Sequence, residues 1–273
     1  MSRLSEYANK FETIKLERRD GILQMTLHSA GGSLQWGPTV QSELVEAFTQ
    51  IGADRENRII ILTGTGPDFS GLRAEPGKSF YRELSAPITA DLLDRTHWTA
   101  KRVMTRMLDI EVPMIAAVNG PAMRHSEIAL MCDIVFAADT AKIGDPHVSV
   151  GLVAGDGGAV IWPQRIGFGR AKEYLFTGDL LTAQKAEDIG LINHSVPADE
   201  LDAAVDAFCQ RLLNGATDAI RWSKVVVNLE LKRIAHALMD PGIAYESLSV
   251  RTADHREAVD ALIEKRKPDF TRR

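Results

Sequence analysis

The chain holds only two cysteines in 273 residues. Cys132 and Cys209 are far apart and neither sits in a Cys-x-x-Cys pair, so neither a disulfide framework nor a metal knuckle is indicated. Both are expected as buried thiols in a reducing compartment. A basic excess is also lacking. Lys and Arg number 32 against 37 Asp and Glu, and the net charge of −5 leaves no electrostatic footprint for nucleic acid. No apolar run approaches the roughly 20 residues of a membrane-spanning helix. Arg3, Glu6, Lys10 and Glu12 stand where a secretion signal would place its apolar core, so cytoplasmic residence without a membrane partner is the expectation. Internal repeats and low-complexity linkers are absent. So is any His/Asp/Glu spacing of a metal site, and no metal is expected.

What remains is an ordinary globular composition, 45% hydrophobic and 25% charged. It is ample for a core and suits one α/β domain, alone or with a helical appendage. Ile14–Glu17 and Ile22–Leu27 predict a strand hairpin around Arg19-Asp20-Gly21. Val40, Leu44, Val45, Phe48 and Ile51 give helical spacing over 39–52. Continuous apolar runs at 59–64, 113–118 and 133–137 predict strands buried on both faces. Residues 88–108 predict a long helix, and 128–132 a short one. Beyond Ala171 helices dominate. They are expected over 182–189, with Thr182 as N-cap, and over 201–213, 220–238 and 245–265. Strand–loop–helix units followed by a helical run predict an α/β core with a helical tail.

Three turns concentrate side chains that can move protons. They are Asn119-Gly120-Pro121-Ala122-Met123-Arg124-His125-Ser126-Glu127, then Asp145-Pro146-His147, then Ala154-Gly155-Asp156-Gly157-Gly158. An imidazole titrates near pH 6.5, which makes His147 the best candidate general base at neutral pH. Asp156 follows nine residues later across a loop, close enough to orient and charge-stabilise that imidazole. Asp156 equally suits the N-cap of a helix beginning near Gly158.

Several segments together carry a family resemblance. They are Ile60 to Gly66 with Phe69-Ser70-Gly71, Val112 to Gly120, Met131 to Ile134, Gly151-Leu152, Gly157-Gly158, and Phe176 to Asn193. In this order and spacing, from about residue 14 to about residue 260, the chain resembles the crotonase (enoyl-CoA hydratase/isomerase) superfamily. The resemblance implies a ββα spiral core over 1–200. It also implies a C-terminal helical region over 201–273 that covers the site and builds a homotrimer or a dimer of trimers. A further implication is an enolate-stabilising pair of backbone N–H groups. One would lie in the loop at Gly71 and Leu72, the other near His125.

The chain departs from a hydratase at each proton-handling position. Arg124-His125-Ser126 replaces a glycine run in a segment one residue shorter, with Glu127 near the place of the first glutamate. Pro146-His147 replaces a Pro-Glu pair, and Asp156 adds a carboxylate. These departures resemble the 6-oxocamphor hydrolase branch, which cleaves carbon–carbon bonds in β-diketones. That branch matches His125, Pro146-His147, Gly155-Asp156-Gly157, Trp36 in Ser33-Leu34-Gln35-Trp36, and Glu246 in the C-terminal helices. The resemblance implies a cofactor-independent hydrolase of a cyclic or bicyclic β-diketone. His147 and Asp156 would activate water, while His125 and Trp36 would serve the forming enolate. Glu246 would position water or relay a proton, unless it is a helix-surface charge. Trp36 also suits simple packing. The alternatives are an acyl-CoA hydratase or isomerase, with a CoA thioester as substrate, and a non-catalytic binding protein of the same fold. Arg73 and Lys78 are cations available to CoA phosphates, but Ala74 stands where CoA-using members carry an acidic residue. His28, His97, His194, His236 and His255 fit no matching frame.

Overall fold

The computed structural model describes residues 3–70 and 89–270. The expected hairpin forms from β1 (Ile14–Arg19) and β2 (Ile22–Leu27). Asp20 and Gly21 between them both have positive φ, 52° and 81°, the geometry of the tight hairpin turn that matches strand twist. From β2 the sheet continues in parallel through β3 (Ile59–Thr63), β4 (Met114–Val118), β5 (Ile134–Ala138) and β8 (His194–Val196). A second, two-stranded sheet pairs β6 (Lys142–Ile143) with β7 (Leu181–Thr182).

The apolar runs read as doubly buried strands separate two cores. Side chains alternate across a sheet with period two. Met114, Ala116 and Val118 of β4 therefore enter the larger core, while Ile115 and Ala117 enter the smaller one. The smaller core is closed by α7 (Leu201–Leu213). Its Leu201, Val205 and Cys209 fall on one stripe at four-residue spacing. The larger core is covered by α2 (Pro38–Ala53), α3 (Ala90–Asp109), α5 (Gly158–Thr177) and α8 (Thr217–Ser249). Short α1 (Leu4–Tyr7), α4 (Glu127–Leu130) and α6 (Ala183–Asp188) complete the described helices, with α9 (Ala253–Ile263) last. Thr182 caps α6 as expected, its hydroxyl accepting from the Lys185 N–H at 3.2 Å. Cys132 and Cys209 are buried and free, and burial pushes each thiol up to about 12. Among the described residues, no helix is long and apolar enough to cross a membrane.

The C-terminal helices differ from expectation. The helix expected to end at Leu238 runs on to Ser249 through Pro241, and the break falls at Val250–Thr252 instead. An interior proline costs a helix about 3 kcal/mol. Here Ala235, Met239 and Ile243 are buried on both sides of it, and their packing holds the helix together. A 3-10 turn, Ala198–Glu200, precedes α7. Of the helices beyond residue 200, α7 contributes to the smaller core and α8 to the larger one.

Candidate active site

Asn119 ties two loops together. Its Oδ1 accepts from the Gly64 N–H at 3.0 Å, and its Nδ2 donates to the Gly66 carbonyl at 2.9 Å. Gly120 beside it can be nothing larger, since a Cβ there would lie 2.0 Å from the Pro67 carbonyl oxygen. The Ser70 carbonyl then accepts from the N–H groups of Met123 and Arg124, both at 3.0 Å. Ser70 is thereby held against the turn that carries His125. Gly71 and Leu72, expected to supply a backbone donor, lie outside the described residues, as do Arg73, Ala74 and Lys78.

His125 has φ 53°, a left-handed conformation that costs a side-chain-bearing residue about 1 kcal/mol. The backbone thus keeps a glycine-like turn where the sequence has lost its glycines. Trp36 stacks on the imidazole, ring centroids 3.7 Å apart and planes 20° apart. Nδ1 of His125 lies 2.9 Å from both Glu127 Oε1 and Asp156 Oδ2. Only 10% of its side chain is exposed. Burial alone would lower the imidazole pKa, but the Glu127 and Asp156 carboxylates outweigh it and raise it to about 9.

His147 opens the 3-10 turn His147–Val150. From sequence its partner is Asp156. The structure puts a second carboxylate nearer: Asp145 Oδ1 is 2.5 Å from His147 Nδ1, while Asp156 Oδ2 is 3.8 Å from Nε2, within ion-pair range. Two residues of chain, one of them Pro146, bring Asp145 back onto the ring, a contact that an Asp-x-His spacing permits but does not announce. Burial is again outweighed. Asp145, Asp156 and the more distant Glu246 hold the His147 pKa well above its usual value. Asp156 is itself buried, yet the His147 and His125 imidazoles keep its pKa below the ordinary range.

Glu246 arrives through a backbone contact. A Cβ on Gly155 would lie 2.1 Å from the Gly242 carbonyl oxygen, and one on Gly242 would lie 2.6 Å from the Gly155 oxygen. Only glycine at both positions lets α8 approach this closely, and one turn later Glu246 faces His147 and Asp156. Burial raises the Glu246 carboxyl to about 8, with the Asp156 charge adding to it. Glu127, fully buried, is raised to about 7 for the same two reasons, with His125 opposing.

The fold therefore gathers His125, His147, Asp156, Glu246 and Trp36, and adds Asp145 and Glu127. His255, given no role from sequence, is buried with Nδ1 2.7 Å from the Val150 carbonyl and braces the His147 turn. Two triplets bring one donor atom each within 4.8 Å of one another: His125, Glu127 and Asp156, and His147, Asp156 and Glu246. Sequence spacing hides this grouping, because the donors come from four segments. The closest imidazole–carboxylate contacts have hydrogen-bond lengths, so these donors answer one another through protons. Ala100, Val103, Met104 and Ile128 join Trp36 in lining a small pocket over His125, Glu127 and Asp156. A separate small pocket between Arg58 and Arg221 is lined by none of these residues.

Residues 17–273 match the family described as enoyl-CoA hydratase/isomerase. A probable enoyl-CoA hydratase of Mycobacterium bovis is 32% identical over 96% of this chain and 99% of its own length. The crotonyl-CoA hydratase of Syntrophomonas wolfei is 30% identical over 95% and 98%. Among solved structures, a β-diketone hydrolase from the cyanobacterium Anabaena, bound to (S)-3-oxocyclohexyl acetic acid, superposes with a TM-score of 0.82. It is 33% identical and the match covers 90% of this chain and 96% of that one.

Proposed function

The chain belongs to the enoyl-CoA hydratase/isomerase family, and from that premise we propose that it hydrolyses a carbon–carbon bond in a cyclic or bicyclic β-diketone. The observation that carries the reading is the Asp156 carboxylate set between the imidazoles of His125 and His147. Neutral His147 takes a proton from water, and the water oxygen bonds to one ketone carbon. The bond from that carbon to the central carbon then breaks. Its electron pair passes to the second carbonyl as an enolate, which cationic His125 faces. Protonation of the enolate carbon gives a keto acid, so one water is consumed and no redox partner is needed. Stabilisation of developing charge by donors fixed in advance can supply about 3 kcal/mol per donor. Glu246 and Asp156 present unpaired carboxylate oxygens to the same space, suited to holding the water. Trp36 covers His125 and forms one wall of the pocket over it.

The names of the two hydratase relatives support a second reading, hydration or isomerisation of an enoyl-CoA with Glu127 as the proton-handling acid. The two part on one experiment. The purified protein is offered a panel of monocyclic and bicyclic 1,3-diketones, followed by loss of enol absorbance, and separately crotonyl-CoA. Diketone cleavage that His147→Ala abolishes in a folded protein supports the first reading. Turnover of crotonyl-CoA alone would overturn it, and turnover of neither class would leave a binding protein. We carry a homotrimer or dimer of trimers with this reading. The exposed Trp222, Val226 and Val227 of α8 suit burial against another copy. Light scattering showing a monomer would refute that part.

A further inference from the structure

We propose that Asp145 is the positioning residue of His147, holding Nδ1 as the protonated nitrogen and turning Nε2 towards Asp156 and Glu246, where water is activated. The catalytic consequence rests on the β-diketone reading; the contact itself rests on geometry. Asp145 Oδ1 stands 2.5 Å from Nδ1, and the same oxygen lies 3.4 Å from the His147 backbone N–H. With Asp145 Oδ1 as the acceptor, Nδ1 donates and the basic lone pair of the neutral ring is on Nε2.

The carboxylate is held where it cannot turn away. Asp145 is only 4% exposed. A Cβ on Gly158, the first residue of α5, would lie 1.9 Å from Asp145 Oδ2, so the carboxylate is wedged against the start of that helix. A helix N-terminus favours negative charge. With Asp145 on the Nδ1 side, Asp156 is released from orienting His147. It bonds His125 instead and keeps Oδ1 unpaired. The remaining groups facing His147 are Glu246 from α8 and the edge of the His125 ring, 6.0 Å between centroids. Glu127 lies behind His125. Of all these groups, Asp145 alone reaches Nδ1 of His147.

Two-bond 15N–1H spectra of protein labelled in its histidines read the protonated nitrogen and the titration of His147 directly, without substrate. Its resonances are assigned by comparison with His147→Gln. Asp145→Asn should lower the titration midpoint of His147 by about one pH unit or more, because an anion that favours the cation is gone. The acid limb of kcat for diketone cleavage should move down with it. At its plateau kcat should fall at least about tenfold with KM little changed, in the direction of the 10⁴-fold loss that a wrong tautomer causes in a Ser-His-Asp triad. Asp145→Glu should regain part of kcat, and it carries the same measurement if Asp145→Asn melts early. Asp156→Asn should move the His125 resonances more than those of His147. The proposal is overturned if Asp145→Asn leaves the His147 tautomer and midpoint unchanged, or if only Asp156→Asn moves them. If the His147 resonances move but the parent protein cleaves no 1,3-diketone, the positioning stands and the β-diketone reading falls.

Discussion

Near the start of the chain, Tyr7, Arg18, Asp54 and Asn57 form a polar cluster as deeply placed as the one around His147. Asp54 accepts from the Tyr7 hydroxyl and from Arg18 Nη1, both at 2.8 Å, and from the Glu56 N–H at 3.0 Å. Asn57 accepts from Arg18 and donates to the Ile51 carbonyl, each at 3.0 Å. Burial pushes the Tyr7 phenol pKa well up, so it remains a neutral donor. None of these side chains leaves a buried polar atom unpartnered. Around His147 and His125 the accounting is different. Glu127 Oε2, Asp145 Oδ2, Asp156 Oδ1 and Glu246 Oε2 all lack a partner. A buried unpaired polar group costs roughly 1–3 kcal/mol, so a chain that can close one such cluster and leaves the other open is keeping the open one for a ligand or a reaction.

The sharpest way to break that contrast is His147→Gln. Loss of a general base should lower kcat/KM for diketone cleavage by about 10³-fold. The unfolding midpoint should also fall, since buried Asp145 loses its imidazole partner, but the activity lost per folded molecule is the larger effect. Retention of more than a tenth of the activity would remove His147 from the chemistry. Asp54→Ala should do the reverse. It strands the Arg18 charge and the Tyr7 hydroxyl, and breaking such a buried pair costs about 3 kcal/mol. The urea midpoint should drop accordingly, while activity per folded molecule stays unchanged. A loss of activity without a loss of stability would mean that the two clusters communicate.

Proton linkage distinguishes the clusters next. His125 is raised to about 9 and His147 also lies above its usual value. A folded pKa above the unfolded value contributes stability that is complete below about pH 6.5 and is lost as pH rises through the folded pKa. Glu127, raised to about 7, and Glu246, raised to about 8, act in the same direction from their unfolded value of 4.5 upwards. Thermal midpoints should therefore fall from pH 6.5 to 9, and His125→Gln should flatten part of that slope. Activity needs neutral His147 and cationic His125. Its rising limb should accordingly lie above pH 6.5 and its falling limb near pH 9. A plateau from pH 6 to 10 would contradict both assignments.

Legibility in the sequence followed the same division. Strands β3, β4 and β5 were plain because apolar runs are bounded by glycine, proline or aspartate and must be covered on both faces. The strands of β6, β7 and β8 are two or three residues long and carry no periodicity of their own. The long helix α8 could not be read through Pro241 and Gly242, because what holds it is the burial of Ala235, Met239 and Ile243 together with the Gly155 contact, which are tertiary events. The site residues His125, His147, Asp156, Glu246 and Trp36 were readable from their frames. Their pairing was not. Asp145 was visible as a residue beside Pro146, but which carboxylate meets which nitrogen is set by the turn at Pro146 and by the left-handed backbone at His125.

Trp36 offers the smallest and most discriminating test of the open cluster. Its ring stacks on His125 and its indole N–H could serve the enolate, and the two roles separate under conservative substitution. Trp36→Phe keeps a flat ring on the imidazole and removes the N–H donor. If stacking is the whole contribution, kcat should stay within about twofold and KM should rise modestly, since a stacked aromatic pair is worth about 1 kcal/mol. If the indole N–H bonds the enolate oxygen, kcat should fall at least about tenfold and up to about 10²-fold, as loss of a donor to developing charge worth up to about 3 kcal/mol does. The position of His125 predicts the first outcome for its own part. Held by Glu127 and Asp156 at 2.9 Å each, the imidazole is oriented without Trp36. A tenfold fall in kcat with an unchanged His125 titration would place the indole among the groups that touch substrate.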